Sequence, residues 1–336
     1  MTDLGKIDRA TFEAIVAPAL GADREDVTLG PTHGLDFGVL AVGDRAVVVA
    51  TDPLSILPEL GYERAGRLAL DVVLADVAVS GVPPTHVTVS LSLPPEFGDD
   101  ALAATWRGLA DYAEGLGVAV VAGHTARYAG IDTSWVGAAT ALGVGDLDDV
   151  IRPDGARPGD VLVVSTGPAA EIAGLFSHLY GDQLGLSAED LAAARERVDD
   201  VETVGDALAV ADAGDVSAMH DATEGGLLGA LVEMADGAGL RFEVERAAVP
   251  VRDGVEAVCA AIDVDPWAVS SAGTLVVAVD QADADAVVEA LTARGTPAAV
   301  VGSVVEGSGV RVDGEAIEAP STDPSWAAAA TLSGPE

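Results

Sequence analysis

The stretch "MHDATEGGLLGALVEMADGAG", residues 219–239, places an apolar helix pattern directly after the end of a strand pattern. Leu227, Leu231 and Met234 recur at helical spacing, which predicts a helix with one buried face. The preceding run "VSAMHD" is short and apolar and predicts a strand. A strand followed by a packed helix is the unit from which α/β domains are built.

The start of this helix carries two glycines that helix formation alone does not favour. Thr223 can cap the helix with its side chain, while Gly225 and Gly226 fall in the first turn. Each glycine costs about 1 kcal/mol relative to alanine in a helix. Because an apolar core does not explain that cost, the sequence predicts that another group closely approaches this backbone.

The rest of the chain repeats the alternation of strands and helices, which predicts an α/β (α+β) fold in two domains. The turn-rich segment 145–160 separates two patterned regions and places the boundary near Val150. We therefore predict domains over 1–150 and 151–318, with a flexible tail over 319–336. Within the first domain, "VAVVAGHT" predicts a short buried strand.

Composition restricts the classes of function that this chain can have. With 17 basic and 55 acidic residues among 336, the net charge is −38, which is typical of halophilic proteins that fold in concentrated salt. Such a chain can hardly form the basic patch that nucleic acids require. No apolar run is long enough to span a membrane, and the N-terminus is unlike a signal peptide, so we expect a cytoplasmic protein. A single cysteine, Cys259, excludes internal disulfides and multi-cysteine metal sites.

Several nucleotide and metal motifs are missing from the sequence. The only lysine is Lys6, which excludes a Walker A loop and a protein-kinase lysine. There is no G-x-G-x-x-G and no H-E-x-x-H. The five histidines show no zinc-ligand spacing: His33, His86, His124, His178 and His220.

Acidic residues beside glycines, at the ends of predicted elements, are the remaining signal. They are Asp36, Asp52, Asp76 and Asp221. Carboxylates bind a nucleotide phosphate when Mg²⁺ lies between them, and glycine-rich turns supply N–H donors. Each acid taken alone is more typical of a turn or a helix cap than of a metal site, and only their combination favours a metal site.

In this order, these blocks resemble the AIR-synthase (PurM-like) superfamily of ATP-dependent enzymes. The resemblance is closest to the hydrogenase expression/formation protein HypE and to archaeal AIR-synthase-related proteins. "LDFGVL", "VVVATDP", "LALDVVLADVAVSGVPP" and "VVAGHTAR" are similar to the blocks of the first domain. "PGDVLVVSTGP" and "MHDATEGGLLGALVEMA" are similar to those of the second, and the resemblance covers roughly residues 5 to 310.

The resemblance implies a PurM-like fold whose N-terminal mixed-sheet domain dimerises and binds ATP, followed by a C-terminal α/β domain. It implies a homodimer that acts on a small-molecule substrate with ATP and Mg²⁺ as cofactors. The catalytic residues implied are His124 and Asp221. The nucleotide-binding residues implied are Asp36, Asp52, Gly123, Thr125, Thr223, Gly225 and Gly226. The metal ligands implied are Asp36, Asp52, Asp76 and Asp221.

The sequence departs from the family pattern at several positions. His124 replaces an acidic residue, Ala75 replaces an asparagine, and Ala272 replaces a glutamate. The chain also ends in "TLSGPE", without the C-terminal cysteine that carries the carbamoyl group in HypE. We therefore expect an ATP-dependent enzyme of the HypE/AIR-synthase type with an unknown substrate. The alternatives are a small-molecule kinase similar to thiamine-monophosphate kinase and an inactive nucleotide-binding regulator.

Overall fold

The computed structural model describes residues 5–131 and 135–334. Two compact units make up the chain. The N-terminal unit comprises Arg24–Pro31 and Leu35–Val150, and the C-terminal unit comprises Met1–Asp23, Thr32–Gly34 and Ile151–Glu336. The main passage from one unit to the other lies between residues 150 and 151. Residues 1–23 and 32–34 group with the C-terminal unit, although they fall within the predicted first domain.

The N-terminal unit is a mixed sheet packed against two helices. Its strands are β1 (Val27–Leu29), β2 (Gly38–Val42), β3 (Arg45–Leu54), β4 (Pro84–Leu93), β5 (Ala119–Arg127) and β6 (Gly137–Asp146), and its helices are α2 (Tyr62–Ala78) and α3 (Asp99–Leu116). The strand order is β1-β2-β3-β6-β4-β5. Only β4 and β5 run parallel, and the other neighbours are antiparallel.

The core of this unit lies between α2 and the sheet. Leu70, Leu74 and Val77 of α2 are fully buried, as are Val48 of β3 and Val87 of β4. This helical spacing of apolar residues is the pattern that predicts an amphipathic helix. Burial of such side chains is the main favourable contribution to folding of the unit.

Strand β5 corrects the prediction that "VAVVAGHT" forms a buried strand. The segment is a strand, but every residue of Ala119–Arg127 except Ala126 is exposed. Val120 and Val121 are 39% and 55% exposed although both are apolar. The strand lies at the edge of the sheet, next to β4.

The C-terminal unit is built around a second mixed sheet. Its strands are β7 (Val161–Ser165), β8 (Val216–Asp221), β9 (Arg241–Val244), β10 (Leu275–Val279), β11 (Ala298–Val305), β12 (Gly309–Val312) and β13 (Glu315–Ile317). Its helices are α1 (Arg9–Thr11), α4 (Ala170–Leu179), α5 (Ala188–Glu196), α6 (Thr203–Ala213), α7 (Gly226–Ala238), α8 (Val255–Ala261), α9 (Ala284–Ala293) and α10 (Pro324–Ser333). The strand order is β13-β12-β9-β11-β7-β10-β8, in which only β9 and β12 are parallel neighbours. These two mixed sheets with their helices confirm the predicted fold class.

The C-terminal segment forms a docked helix where the sequence analysis expected a flexible tail. Asp323 caps α10 by accepting a hydrogen bond from the Ser325 N–H, and both residues are buried. Further along, Ser333 Oγ lies 3.0 Å from the Tyr180 hydroxyl. Leu332 packs against an apolar cluster that includes residues of α4 and α8. Apolar and polar contacts together therefore hold this helix on the C-terminal unit.

Among residues 5–131 and 135–334, no helix combines the length and the apolar composition needed to cross a bilayer.

Candidate functional site

Asp221 lies at the carboxyl end of β8, in a rigid part of the C-terminal unit. All six residues of β8 are buried, and the strand pairs with β10 at the edge of the sheet. After Asp221 the chain is fixed by two backbone hydrogen bonds. The Ala222 N–H donates to the Thr274 carbonyl at 2.9 Å, and the Ser271 N–H donates to the Ala222 carbonyl at 2.9 Å. The Asp221 backbone therefore has little freedom to move.

The side chain of Asp221 is buried with one carboxylate oxygen unsatisfied. The residue is 3% exposed, and its Oδ1 makes no hydrogen bond within the described part of the protein. A buried polar atom without a hydrogen bond destabilises the fold by about 1 to 3 kcal/mol, and more when the group is charged. Bound Mg²⁺ would remove this penalty, since the ion takes carboxylate oxygens as ligands. The side chain thus fits the predicted role in metal binding.

His220 and Glu233 lie beside this carboxylate. His220 is 2% exposed, and its Nε2 lies 3.0 Å from Glu233 Oε2, while its Nδ1 lies 3.5 Å from Asp221 Oδ1. The other oxygen of Glu233, Oε1, lies 3.9 Å from His33 Nδ1. Four ionisable side chains therefore follow one another at short distances inside the C-terminal unit.

The start of α7 corrects the expectation that Thr223 caps this helix. The helix begins at Gly226, and its N-cap is Gly225, in the left-handed conformation with a φ of 81°. Thr223 contributes its backbone carbonyl, which accepts a hydrogen bond from the Gly226 N–H at 2.8 Å. Its side chain does not cap the helix, because the turn between residues 223 and 226 moves the helix start beyond its reach.

Gly226 closely approaches another backbone, but the partner belongs to the protein itself. Its φ is 59°, and a Cβ at this position would lie 2.3 Å from the Val269 carbonyl oxygen. Packing therefore explains why glycine is needed here. The Gly225 N–H is also used internally, since it donates to Asp323 Oδ2 at 3.4 Å. The assignment of both glycines to nucleotide binding stays a prediction.

Another carboxylate, that of Glu171, lies next to Ala272. Glu171, in the first turn of α4, accepts hydrogen bonds at Oε2 from Ser270 Oγ at 2.7 Å and from the Ala272 N–H at 2.9 Å. Burial raises the pKa of the Glu171 carboxyl, although these two hydrogen bonds oppose the shift. The Glu171 carboxylate therefore binds the backbone N–H of Ala272, the position at which the family pattern has a glutamate.

A cavity of about 250 Å³ lies in front of α7 within the C-terminal unit. Glu224, Glu233 and Asp323 contribute acidic groups to its wall, and Lys6 and Arg9 contribute basic ones. The backbone N–H of Lys6 donates to Glu224 Oε2 at 2.5 Å, and the Trp326 indole N–H donates to Glu224 Oε1 at 3.0 Å. Residues near both ends of the chain therefore fix the Glu224 side chain in the wall of the cavity.

The predicted acids of the N-terminal unit occupy three different environments. Asp36 precedes β2 and is partly buried, Asp52 is a partly buried residue of β3, and Asp76 of α2 is 4% exposed. Among the described residues of this unit, no three potential ligands bring their atoms within 4.8 Å of one another. The assignment of these acids to metal and phosphate therefore stays a prediction.

The predicted residues Gly123, His124 and Thr125 lie on the exposed strand β5. His124 Nε2 lies 3.2 Å from the Tyr128 hydroxyl. A Cβ at Gly123 would lie 2.5 Å from the Val89 carbonyl oxygen, so packing against β4 already explains this glycine. The catalytic role of His124 and the nucleotide contacts of its neighbours stay predictions.

Cys259 is a packing residue of the C-terminal unit. It is 1% exposed on α8, and burial raises the pKa of its thiol to about 12. Because the thiolate is the reactive form, this cysteine is a poor nucleophile at neutral pH.

Glu171, Glu233 and Asp323 were not predicted from the sequence. The contacts of all three depend on tertiary structure, which brings together positions far apart in the chain. The one available signal was His220, because a histidine inside an apolar strand requires a polar partner.

Comparison with protein families places both units among known domains. Residues 34–144 match the model of the AIR synthase related protein, N-terminal domain, and residues 157–315 match that of the C-terminal domain. Carbamoyl dehydratase HypE of Escherichia coli is 31% identical over 317 residues, which covers 92% of this chain and 89% of that protein.

Solved structures with the same fold include HypE and AaThiL. The E. coli HypE structure is 26% identical with a TM-score of 0.73, covering 96% of this chain and 92% of that one. HypE in complex with ATP is 24% identical with a TM-score of 0.63, covering 91% of each chain. AaThiL complexed with AMPPCP and TMP is 21% identical with a TM-score of 0.69, covering 86% of this chain and 90% of that one. These matches confirm the resemblance inferred from the sequence motifs.

Proposed function

Because the chain belongs to the AIR synthase related protein family, we propose that it is an ATP-dependent enzyme that phosphorylates or dehydrates a small molecule. The solved structures of HypE with ATP and of AaThiL with AMPPCP support nucleotide use. The observation that carries the proposal is Asp221, whose buried Oδ1 makes no hydrogen bond within the described residues.

Asp221 is the proposed metal ligand of the C-terminal unit. Asp36, Asp52 and Asp76 are the proposed metal or phosphate acids of the N-terminal unit. Bound Mg²⁺ supplies positive charge that stabilises the transferred phosphoryl group. The contribution of Asp221 is a carboxylate held by a fixed backbone, and such positioning accounts for much of the catalysis in phosphoryl transfer.

The names of the relatives support two forms of the proposed reaction. Carbamoyl dehydratase is the name of the E. coli relative, which favours activation of an amide-like oxygen for dehydration. The similarity to AaThiL favours direct phosphorylation of a small molecule as the second candidate. In either case Cys259 does not carry the substrate, because its thiol is buried and protonated.

Binding and turnover of ATP test this proposal directly. We expect purified protein in about 2 M KCl, where surface charge is strongly screened, to bind ATP more tightly with Mg²⁺ than without it in calorimetry. ADP release is then measured against a panel of small metabolites. Binding without turnover of any metabolite would favour the nucleotide-binding regulator, and no binding at all would contradict the proposal.

A matched pair of variants tests Asp221. We expect Asp221→Asn to weaken Mg²⁺–ATP binding by at least about tenfold, since one ligand charge is lost. Asp215→Asn is the control, because Asp215 lies just before β8 and forms an exposed ion pair with Arg157. Equal affinities for the two variants would leave Asp221 without a role in metal binding.

We also propose that the protein forms a homodimer through β5. An exposed edge strand with apolar side chains is a template for pairing with another chain, and Val120 and Val121 are exposed on this strand. A second copy of the chain would cover them. Exposed apolar residues on an edge strand support the presence of a partner chain.

Light scattering after size-exclusion chromatography tests the homodimer. We expect the wild-type protein to have the mass of two chains and Val121→Asp to have the mass of one. The control is Val300→Asp, which places the same charge at an exposed valine of β11. A wild-type monomer, or a dimer that survives Val121→Asp, would contradict the proposed interface.

A further inference from the structure

The contacts of Glu233 on α7 point to a role that its sequence position does not reveal. We propose that Glu233 is a positioning residue that orients the His220 ring against the Asp221 carboxylate. The inference rests on the magnesium-dependent ATP binding proposed above. It assigns no contact with substrate to Glu233, which acts only through the histidine.

The first step of the argument is the orientation of the His220 ring. Its Nε2 lies 3.0 Å from Glu233 Oε2, and its Nδ1 lies 3.5 Å from Asp221 Oδ1. The two nitrogens belong to one rigid ring, so a hydrogen bond at Nε2 also determines where Nδ1 points. Loss of the Glu233 contact would therefore release the ring that lies against Asp221.

The second step is the fixation of Glu233 itself. Its side chain is 18% exposed, and its Oε1 lies 3.9 Å from His33 Nδ1. Gly34 adopts a φ of 81° and lies so close that a Cβ there would be 3.1 Å from the Glu233 Cβ. The segment containing His33 and Gly34 therefore confines the Glu233 side chain.

The third step connects this arrangement to a ligand. Asp221 Oδ1 is buried and makes no hydrogen bond within the described residues, although it lies beside His220. The direction of this oxygen matters for a cation, because Mg²⁺ requires near-ideal ligand geometry. Outer partners that orient metal ligands typically change metal affinity about 10- to 100-fold when they are removed. Glu233 and His220 form such a pair of outer partners for Asp221.

Two substitutions of Glu233 separate positioning from charge. Glu233→Gln removes the charge but keeps an oxygen at the same reach, so His220 Nε2 can still donate to it. Glu233→Asp keeps the charge but shortens the side chain by one carbon, so the contact is lost. Positioning predicts that the glutamine variant binds Mg²⁺–ATP within about threefold of wild type and that the aspartate variant binds about tenfold more weakly.

The control lies on the same helix. Asp236 of α7 pairs with Arg9 at 3.1 Å, and Asp236→Ala removes an acidic side chain without touching His220. We expect this variant to bind Mg²⁺–ATP as wild type does. Urea unfolding of each variant establishes that it is folded under the conditions of the binding measurement.

Calorimetry with ATP and Mg²⁺ is combined with carbon NMR of the Asp221 carboxyl group in the absence of nucleotide. We expect Glu233→Asp to shift this resonance and Glu233→Gln to leave it in place. The inference is overturned if the aspartate variant keeps wild-type affinity while the glutamine variant loses it, since that ranking indicates a charge effect. It is also overturned if neither variant changes affinity or the Asp221 resonance.

The two measurements also separate this inference from the proposed function. If wild-type protein does not bind Mg²⁺–ATP, the proposed function is wrong, and the Asp221 resonance alone then tests the positioning by Glu233. If wild-type protein binds Mg²⁺–ATP and the Asp221 resonance is the same in all variants, the proposed function stands and the inference is wrong.

Discussion

Replacement of Gly226 by alanine tests whether this glycine is needed for packing. Gly226 begins α7 with a φ of 59°, and an added Cβ would lie 2.3 Å from the Val269 carbonyl oxygen. The neighbouring Gly225 has a φ of 81°, but an added Cβ there would come no closer than 3.5 Å to a non-neighbouring atom. Alanine would therefore be strained at both positions because of the positive φ, but its Cβ would collide with another atom only at Gly226.

The expected loss of stability is the sum of these two effects. A residue with a side chain costs about 1 to 2 kcal/mol in the left-handed conformation. Overpacking against fixed atoms costs about 1 to 3 kcal/mol more. We therefore expect the free energy of unfolding to fall by about 3 kcal/mol in Gly226→Ala and by about 1 kcal/mol in Gly225→Ala.

Urea unfolding monitored by tryptophan fluorescence measures this difference. Trp267 is 2% exposed, and its carbonyl oxygen would lie 2.8 Å from an added Cβ at Gly226, so its environment reports on this region. With a slope of about 3 kcal/mol/M, the midpoint of Gly226→Ala should fall by about 1 M. Equal midpoints for the two variants would refute the packing explanation.

Three further predictions concern charge and the buried thiol. We expect the melting temperature to rise by about 10 °C or more between 0.1 M and 2 M KCl, because salt screens the self-repulsion of a chain with net charge −38; an unchanged value would contradict this. Native Cys259 should resist a thiol reagent at pH 8 and react fully in urea, and rapid native labelling would contradict its burial. The pKa of this thiol in the folded protein is about 12, above its ordinary value of 9.0. Its contribution to stability is therefore present below about pH 9 and is lost as the pH rises toward 12. We expect Cys259→Ala to reduce this loss of stability at alkaline pH in urea titrations.

Strand β5 shows where sequence patterns predict structure and where they fail. The apolar run in "VAVVAGHT" correctly predicts a strand but wrongly predicts its burial. Alternating patterns and apolar runs indicate that a segment has apolar side chains to bury, but they do not indicate which part of this chain or of another chain buries them. An edge strand that pairs with a second chain has the same sequence pattern as one buried within its own chain.

The candidate site at β8 and α7 was predictable only in part, because some of its contacts join residues that are distant in the sequence. The acid at Asp221 and the constraint at Gly226 are local features, and both were recognised from the sequence. The contact between His220 and Glu233 spans 13 positions and depends on how α7 packs against β8. The carbonyl of Val269 that requires Gly226 comes from a segment 43 residues further along the chain. Local patterns therefore locate the constraint but do not identify its cause.

The position of Lys6 has a practical consequence for spectroscopy. Lys6 is exposed on the wall of the cavity in front of α7, and it is the only lysine among 336 residues. An amine-reactive dye therefore has one side-chain target in the entire protein, once the α-amino group, which reacts first because of its lower pKa, has been blocked. Fluorescence from a dye at Lys6 would report changes beside Glu224 without the introduction of a cysteine.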